Sequence, residues 1–142
     1  ESAMLKISII TVSYNAAATI EQTILSVIGQ EYPHIEYIVI DGGSTDGTVD
    51  IIRKYEDKIA YWVSEPDQGI YDAMNKGIRQ ATGDYLYFLG ADDWLKDEKV
   101  LCRVSEFIRL HSGYGFYMGN VFLYHPKLRM EKRQRVFFRQ RR

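Results

Sequence analysis

The sequence is short of the devices that tie a chain down or carry it through a membrane. Its 142 residues include one cysteine, Cys102, and three prolines. A single thiol excludes an intrachain disulfide framework and an all-cysteine metal site. It suits a reducing compartment, so a cytoplasmic location is expected. No run reaches the roughly 18 apolar residues that a bilayer-spanning helix needs. Neither common phosphate loop, G-x-G-x-x-G or G-x-x-x-x-G-K-S/T, occurs. Internal repeats are absent, and Glu1-Ser2-Ala3 ahead of Met4 has nothing of a targeting segment. What is there is ordinary for a folded domain: 46% hydrophobic and 13% aromatic residues exclude disorder as the main state. A chain of this length predicts one domain, burying roughly 70% of its unfolded surface.

Charge is divided unevenly. The formal net charge is −1, yet residues 127–142 hold eight of the 18 basic residues and one acid, Glu131. An acidic body, 4–126, with a basic tail, 127–142, suggests two surfaces with different partners. The tail is open to two readings. It is a solvated, frayed end, or it meets anionic lipid headgroups at the inner membrane face, helped by Phe137 and Phe138. Nucleic acid is not expected, because the body offers no basic face to extend the tail.

Apolar runs and helical stripes alternate along the chain. Lys6 to Ser13 (KISIITVS), Tyr37 to Ile40, Ile59 to Val63 and Tyr85 to Leu89 read as strands buried on both faces. Between them, a helix opens at Thr19, with Gln22 completing a capping box and Pro33 ending the segment. It carries Ile20, Ile24, Val27 and Ile28. A second helix, capped by Asp46 or Thr48, carries Val49, Ile52 and Tyr55. The clearest helix runs from Ile70 to Ala81, with Ile70, Ala73, Met74, Gly77, Ile78 and Ala81 on one stripe. A fourth covers Asp97 to His111, and Phe116 to Tyr124 reads as a further strand. The alternation predicts an α/β fold: a mainly parallel sheet flanked by helices on both faces. Such sheets bind ligands beyond the carboxyl ends of their strands.

Polar residues gather at those ends. Ser13, Tyr14 and Asn15 follow the first strand, Asp41 and a Gly-Gly-Ser-Thr-Asp turn the second, Glu65, Asp67 and Gln68 the third, and Asp92 and Asp93 the fourth. Asp46 and Asp67 each precede a helix, where capping explains an acid equally well. Asp92-Asp93 follows the apolar strand YLYFLG, and two adjacent acids there point to a hard divalent metal, Mg²⁺ or Mn²⁺. Magnesium takes one or two carboxylates plus substrate phosphates, so the pair implies a diphosphate ligand, held by the metal and by Lys76. His34, His111 and His125 have no ligand spacing, and Cys102 has no catalytic partner nearby. Trp62 reads as core ahead of pocket rim, while Trp94 either packs under the acidic loop or touches the ligand.

Four segments, ISIITVSYNA, YIVIDGGSTDGT, EPDQGIYDAMNKGI and ATGDYLYFLGADDW, together resemble, in order and spacing, the family 2 glycosyltransferases with the GT-A (Rossmann-like) nucleotide-sugar fold. The resemblance covers about residues 5–124 and is closest in character to the bacterial enzymes of exopolysaccharide and O-antigen synthesis. It implies that Tyr14 stacks on the nucleotide base, with Thr11 and Ser13 on the same wall. Asp41 would accept a hydrogen bond from the base, which suits uracil. Asp92 would face the ribose, and Asp93, with Asp92, would hold the metal. Asp67, Asn75 and Lys76 would line the donor pocket. The implied activity is inverting transfer of a sugar from a nucleotide diphosphate sugar, UDP-linked by this reading, to a glycan or lipid-linked acceptor.

The catalytic base is not identifiable. Downstream of Asp93 stand Asp97, Glu98, Glu106 and Glu131, and none matches the family's base. QRVFFR (134–139) faintly resembles a stretch that precedes the base, so the expectation is a donor-binding half with its acceptor half cut short. Two alternatives remain: a module that binds donor without transfer, and a nucleotidyltransferase that makes the sugar nucleotide. The second would want a glycine-rich, basic loop after the first strand, where Tyr14-Asn15-Ala16-Ala17-Ala18 stands instead.

Overall fold

Apolar runs with no polar alternation suit strands covered on both sides, and the computed structural model builds its sheet from them. It describes residues 4–110 and the backbone of two further strands at 115–118 and 121–124. β1 (Ile7–Ser13), β2 (Ile35–Asp41), β3 (Tyr61–Ser64) and β4 (Tyr85–Phe88) alternate with α1 (Ile20–Ile28), α2 (Thr48–Lys54), α3 (Ile70–Gln80) and α4 (Val100–Leu110). β5 (Gly115–Met118) and β6 (Val121–Tyr124) follow. The strands form one sheet in the order β3-β2-β1-β4-β6-β5. β1 to β4 are mutually parallel where they pair, and β6 runs antiparallel to both β4 and β5.

Side chains alternate across β1 and feed two cores. Ile7 and Ile9, with Val39 of β2 and Tyr87 of β4, pack against Ile24 and Val27 of α1, Ile52 of α2 and Leu101, Val104 and Ile108 of α4. Ile10, Ile38, Ile40 and Leu86 face the other way, onto Ala73 and Ile78 of α3. Helices therefore cover both faces, as the alternation of elements predicts. β1 lies in the middle of the parallel strands, and each of its fully buried isoleucines contributes about 1.5–3 kcal/mol.

Three expectations need correction. The pattern over 116–124 is two strands, not one: β5 and β6 pair antiparallel, with Met118 opposite Val121. α1 ends at Ile28 with Gly29 as its C-cap, well before Pro33. Thr19 is the N-cap residue, but its side chain makes no capping bond. Its hydroxyl donates to the Ala91 carbonyl at 2.8 Å instead. The basic tail 127–142, Glu131, His111 and His125 lie outside the described residues.

α3 approaches the sheet through Gly77. A Cβ there would stand 2.5 Å from Cγ2 of Ile10. Alanine in a helix interior is worth about 1 kcal/mol over glycine, whereas overpacking a filled core costs about 1–3 kcal/mol. Gly77→Ala is therefore expected to destabilise the fold despite its better helix propensity, as a lower urea midpoint at unchanged m-value. A raised midpoint would show that Ile10 yields freely.

Candidate functional site

The sheet register sets Ser13 beside Asp41 and Asp41 beside Ser64 at the carboxyl ends of β1, β2 and β3. Asp41 is fully buried. Its Oδ1 accepts from the Ser13 hydroxyl at 2.7 Å and the Ser44 hydroxyl at 2.6 Å. Its Oδ2 accepts from the Gly43 amide at 3.1 Å, the Ser44 amide at 2.8 Å and the Ser64 hydroxyl at 2.8 Å. Burial pushes its pKa up, but the bonds from Ser44, Ser13 and Ser64 together outweigh it and hold the carboxyl below its usual range. A carboxylate offers about four lone-pair positions, so these donors fill it. A base N–H would reach Asp41 only by displacing one of them.

Ser44 carries the order outward. Its hydroxyl also accepts from the Asn15 amide at 2.7 Å, and Asn15 Oδ1 accepts from the Thr45 amide at 2.9 Å. Asn15 has a φ of 48°, a left-handed conformation that asparagine adopts more readily than most residues. The Ala16 amide donates to Thr48 Oγ1 at 2.9 Å and the Ala17 amide to Asp46 at 3.1 Å. The other Asp46 oxygen accepts from the Thr48 amide and hydroxyl, which fixes the start of α2. Three successive amides that a phosphate loop would turn toward its ligand are thus taken by side chains of the neighbouring loop.

Tyr14 stands at the edge of this loop, 65% exposed, across from Ile70, 57% exposed. Between them lies a cleft of about 560 Å³, lined by Val12, Ser13, Tyr14, Gly42, Pro66, Asp67, Gly69, Ile70 and Ala73. That volume suits a small organic ligand. A Cβ on Gly42 would come within 2.8 Å of Asp67 Oδ2, so glycine is what lets Asp67 close the floor. Asp67 Oδ1 accepts from the Gly69 amide at 3.1 Å. The helical stripe predicts Ile70 in the core; it lines the cleft instead, because it sits in the first turn of α3, beyond the sheet edge.

The acidic pair lies at the same edge, beyond β4. The Leu89 amide bonds the Ile10 carbonyl, and the Asp93 amide closes a turn onto Gly90. Asp92 and Asp93 are both exposed. Asp93 Oδ1 accepts from the Trp94 amide at 2.8 Å. Burial, with the nearby Asp93 charge, pushes the Tyr87 hydroxyl up to about 12. Trp94 is 47% exposed, and Leu95 beside it is buried.

The remaining predicted residues are placed differently. Thr11 does not reach the cleft. It lies two residues below Ser13, about 7 Å down the strand, fully buried and bonded to the Tyr37 hydroxyl at 2.9 Å. Lys76 pairs with Glu65 at 3.1 Å and with the Pro66 carbonyl. Neither Lys76 nor Asn75 lines the cleft. Trp62 is half-buried on edge strand β3, donating to Glu56 with Arg53 over its ring. Asp97 and Glu106 form surface pairs with Arg103 and Arg109. Sequence reasoning missed Ser44, Ser64 and the hydroxyls of α1 that hold the acidic loop. The spacing of Thr19, Thr23 and Ser26, at i, i+4 and i+7, was the available signal.

The donor chemistry at Asp92-Asp93 fits a hard divalent cation. Both carboxylates are exposed, and among the described residues none donates a hydrogen bond to that of Asp92. No three His, Cys, Asp or Glu side chains cluster among the described residues. A pair of oxygen donors alone suits an ion that completes its shell with phosphate and water rather than a closed zinc site.

A mainly parallel α/β sheet with a small-molecule cleft and an acidic pair at its carboxyl edge is the layout of the GT-A fold. Residues 8–141 match the sequence model of glycosyl transferase family 2, and the chain belongs to that family. A PGL/p-HBAD biosynthesis glycosyltransferase of Mycobacterium bovis is 39% identical over 119 residues, which is 82% of this chain and 46% of that protein. The chain thus spans less than half the length of the curated relatives it matches. Staphylococcus aureus TarS 1-349, solved with UDP-GlcNAc, superposes with a TM-score of 0.77 at 22% identity, over 91% of this chain and 48% of that one. The mannosyltransferase PcManGT of Pyrobaculum calidifontis, solved with GDP-Man and Mn²⁺, gives 0.80 at 21% identity, over 92% and 47%. These likenesses establish the GT-A fold.

Asp41→Asn exchanges a filled carboxylate for an amide that must bring its own donors against five others. The expected loss is about 3 kcal/mol at neutral pH. Because the folded pKa is lowered, the carboxylate stabilises the fold above the ordinary aspartate value of about 4, and this is lost as pH falls through the folded value. Urea unfolding of both proteins from pH 7 to pH 3 should show the gap closing on acidification. A pH-independent gap would deny the carboxylate its role.

Proposed function

We propose that this chain is the donor-binding part of a metal-dependent glycosyltransferase that takes a nucleotide diphosphate sugar, UDP-linked, and serves transfer to a glycan or lipid-linked acceptor with inversion. The observation that carries the reading is the division of one sheet edge: an apolar-walled cleft over β1 and β2, and an exposed acidic pair beyond β4. Two strand spacings, about 10 Å, separate β2 from β4, a span that a nucleoside diphosphate can bridge. Tyr14 would offer its ring to the base, facing Ile70. Asp67 would meet a base or ribose donor at the cleft floor. Asp41, through Ser13 and Ser44, would set the wall rather than touch the ligand.

Asp93, with Asp92, would hold Mg²⁺ or Mn²⁺. When bound, that ion supplies Lewis-acid stabilisation to the charge growing on the departing diphosphate. The chain's own residues bind and orient the donor. The resemblance in four segments, the Mn²⁺ and GDP-Man in PcManGT and the UDP-GlcNAc in TarS support the cofactor and donor class. The biosynthetic name of the mycobacterial relative supports a glycan or glycolipid acceptor. No helix among the described residues is long and apolar enough to cross a membrane; action at the inner membrane face through the basic tail is part of the proposal. A nucleotidyltransferase is disfavoured, since the amides of residues 15–17 are already bonded within the protein.

Calorimetric titration of UDP with Mn²⁺, then with EDTA, tests the reading. Wild-type affinity should fall at least about tenfold in EDTA, and Asp93→Ala should bind at the EDTA level in either buffer. Equal affinity for Asp93→Ala and wild type with Mn²⁺ would refute the metal site. Binding without sugar transfer to any acceptor would favour a donor-binding module.

A further inference from the structure

Both acids of the pair carry exposed side chains with little to hold them, so their position depends on the backbone of the loop. That backbone is held by one face of α1 and by its N-cap residue, Thr19. Thr19 Oγ1 donates to the Ala91 carbonyl at 2.8 Å. Thr23 Oγ1 lies 2.9 Å from the same carbonyl and 2.5 Å from the Asp93 carbonyl. Ser26 Oγ accepts from the Leu95 amide at 3.0 Å while donating to the Thr23 carbonyl at 2.7 Å. Thr23 is fully buried. One hydroxyl proton serves two carbonyls, and those two peptide groups bracket Asp92 and Asp93.

A threonine inside a helix ordinarily returns its proton to the carbonyl one turn back. For Thr23 that carbonyl, Thr19, is 3.5 Å away, farther than either loop carbonyl. Thr19 likewise gives up its capping bond for the loop. Two hydroxyls that could serve their own helix instead converge on the segment carrying two adjacent like charges. Those charges repel, and a loop free to relax would let them separate.

We propose that Thr23, assisted by Thr19, is a positioning residue that sets the Asp92-Asp93 loop for divalent-metal binding. The inference rests on the metal reading above and deepens it. Thr23→Val keeps the volume and removes the donor; Thr23→Ser keeps the donor; Thr19→Val removes the partner bond at a less buried position, should Thr23→Val fail to fold. Calorimetry of UDP with Mn²⁺ and with EDTA on the full chain is the measurement, with circular dichroism checking the fold. Thr23→Val should weaken Mn²⁺-dependent UDP binding by about tenfold, within the range seen when a group orienting a metal ligand is lost. Its affinity in EDTA should match wild type, Thr23→Ser should restore the Mn²⁺ value, and Thr19→Val should weaken it in the same direction. A wild-type ratio of Mn²⁺ to EDTA affinity in both valine variants overturns the proposal, as does an equal loss in both buffers. If Asp93→Ala also keeps the wild-type ratio, the metal reading itself has failed.

Discussion

The buried carboxylate of Asp41 is the point on which the site depends. It joins three parallel strands at their carboxyl ends, through Ser13 on β1 and Ser64 on β3, and it folds the next loop back on itself through Gly43 and Ser44. A charge taken out of water is tolerated only when its lone pairs are met, and here every one is. The requirement runs in both directions. The serines and the Gly-Gly turn are fixed because the carboxylate needs them, and the carboxylate stays ionised because they are there. From Ser44 the order passes to Asn15, and so to the loop that presents Tyr14.

The edge beyond this network divides its work. On the β1–β2 side the loops are bonded to one another, and what they leave exposed is a ring, an isoleucine and the floor carboxylate of Asp67. On the β4 side the acidic pair is left open, and its loop is braced from behind by α1. A phosphate loop would have used backbone amides at the end of β1. Here those amides hold the wall, so on the proposed reading anion binding falls to a cation at Asp92-Asp93. The absence of a glycine-rich motif and the presence of the acidic pair are two sides of one arrangement.

Much of this was legible in the sequence. The β-branched runs and helical stripes gave the parallel order because burial on both faces leaves a distinct pattern. That Tyr14, Asp67 and the acidic pair share the carboxyl edge was legible because a strand-helix alternation sends every strand end to the same side of a parallel sheet. What the pattern could not carry was the direction of small polar groups. Thr11 and Ser13 look alike in KISIITVS, yet two residues of strand rise put one in the core and the other at the rim. Lys76 reads as a free cation until Glu65, on another element, takes it up. Thr19 reads as a cap because capping is local, while its actual partner, Ala91, is distant in sequence. Ile70 belongs to an apolar stripe, and only the helix's starting point sets it in the cleft.

On the proposed reading, one ligand bridges the cleft at Tyr14 and the acidic pair at Asp92-Asp93. Paramagnetic broadening of backbone amide resonances by Mn²⁺, with and without UDP, tests it most directly. With UDP present, broadening should be strongest at residues 90–94, extend to the cleft at residues 13–14, 42–43 and 67–70, and spare the opposite sheet edge around His34 and Gly83. Protection or shift changes at the cleft should need the nucleotide, whereas broadening at 90–94 should strengthen with it. Broadening centred away from Asp92-Asp93, or a cleft that does not respond to UDP, would contradict the account.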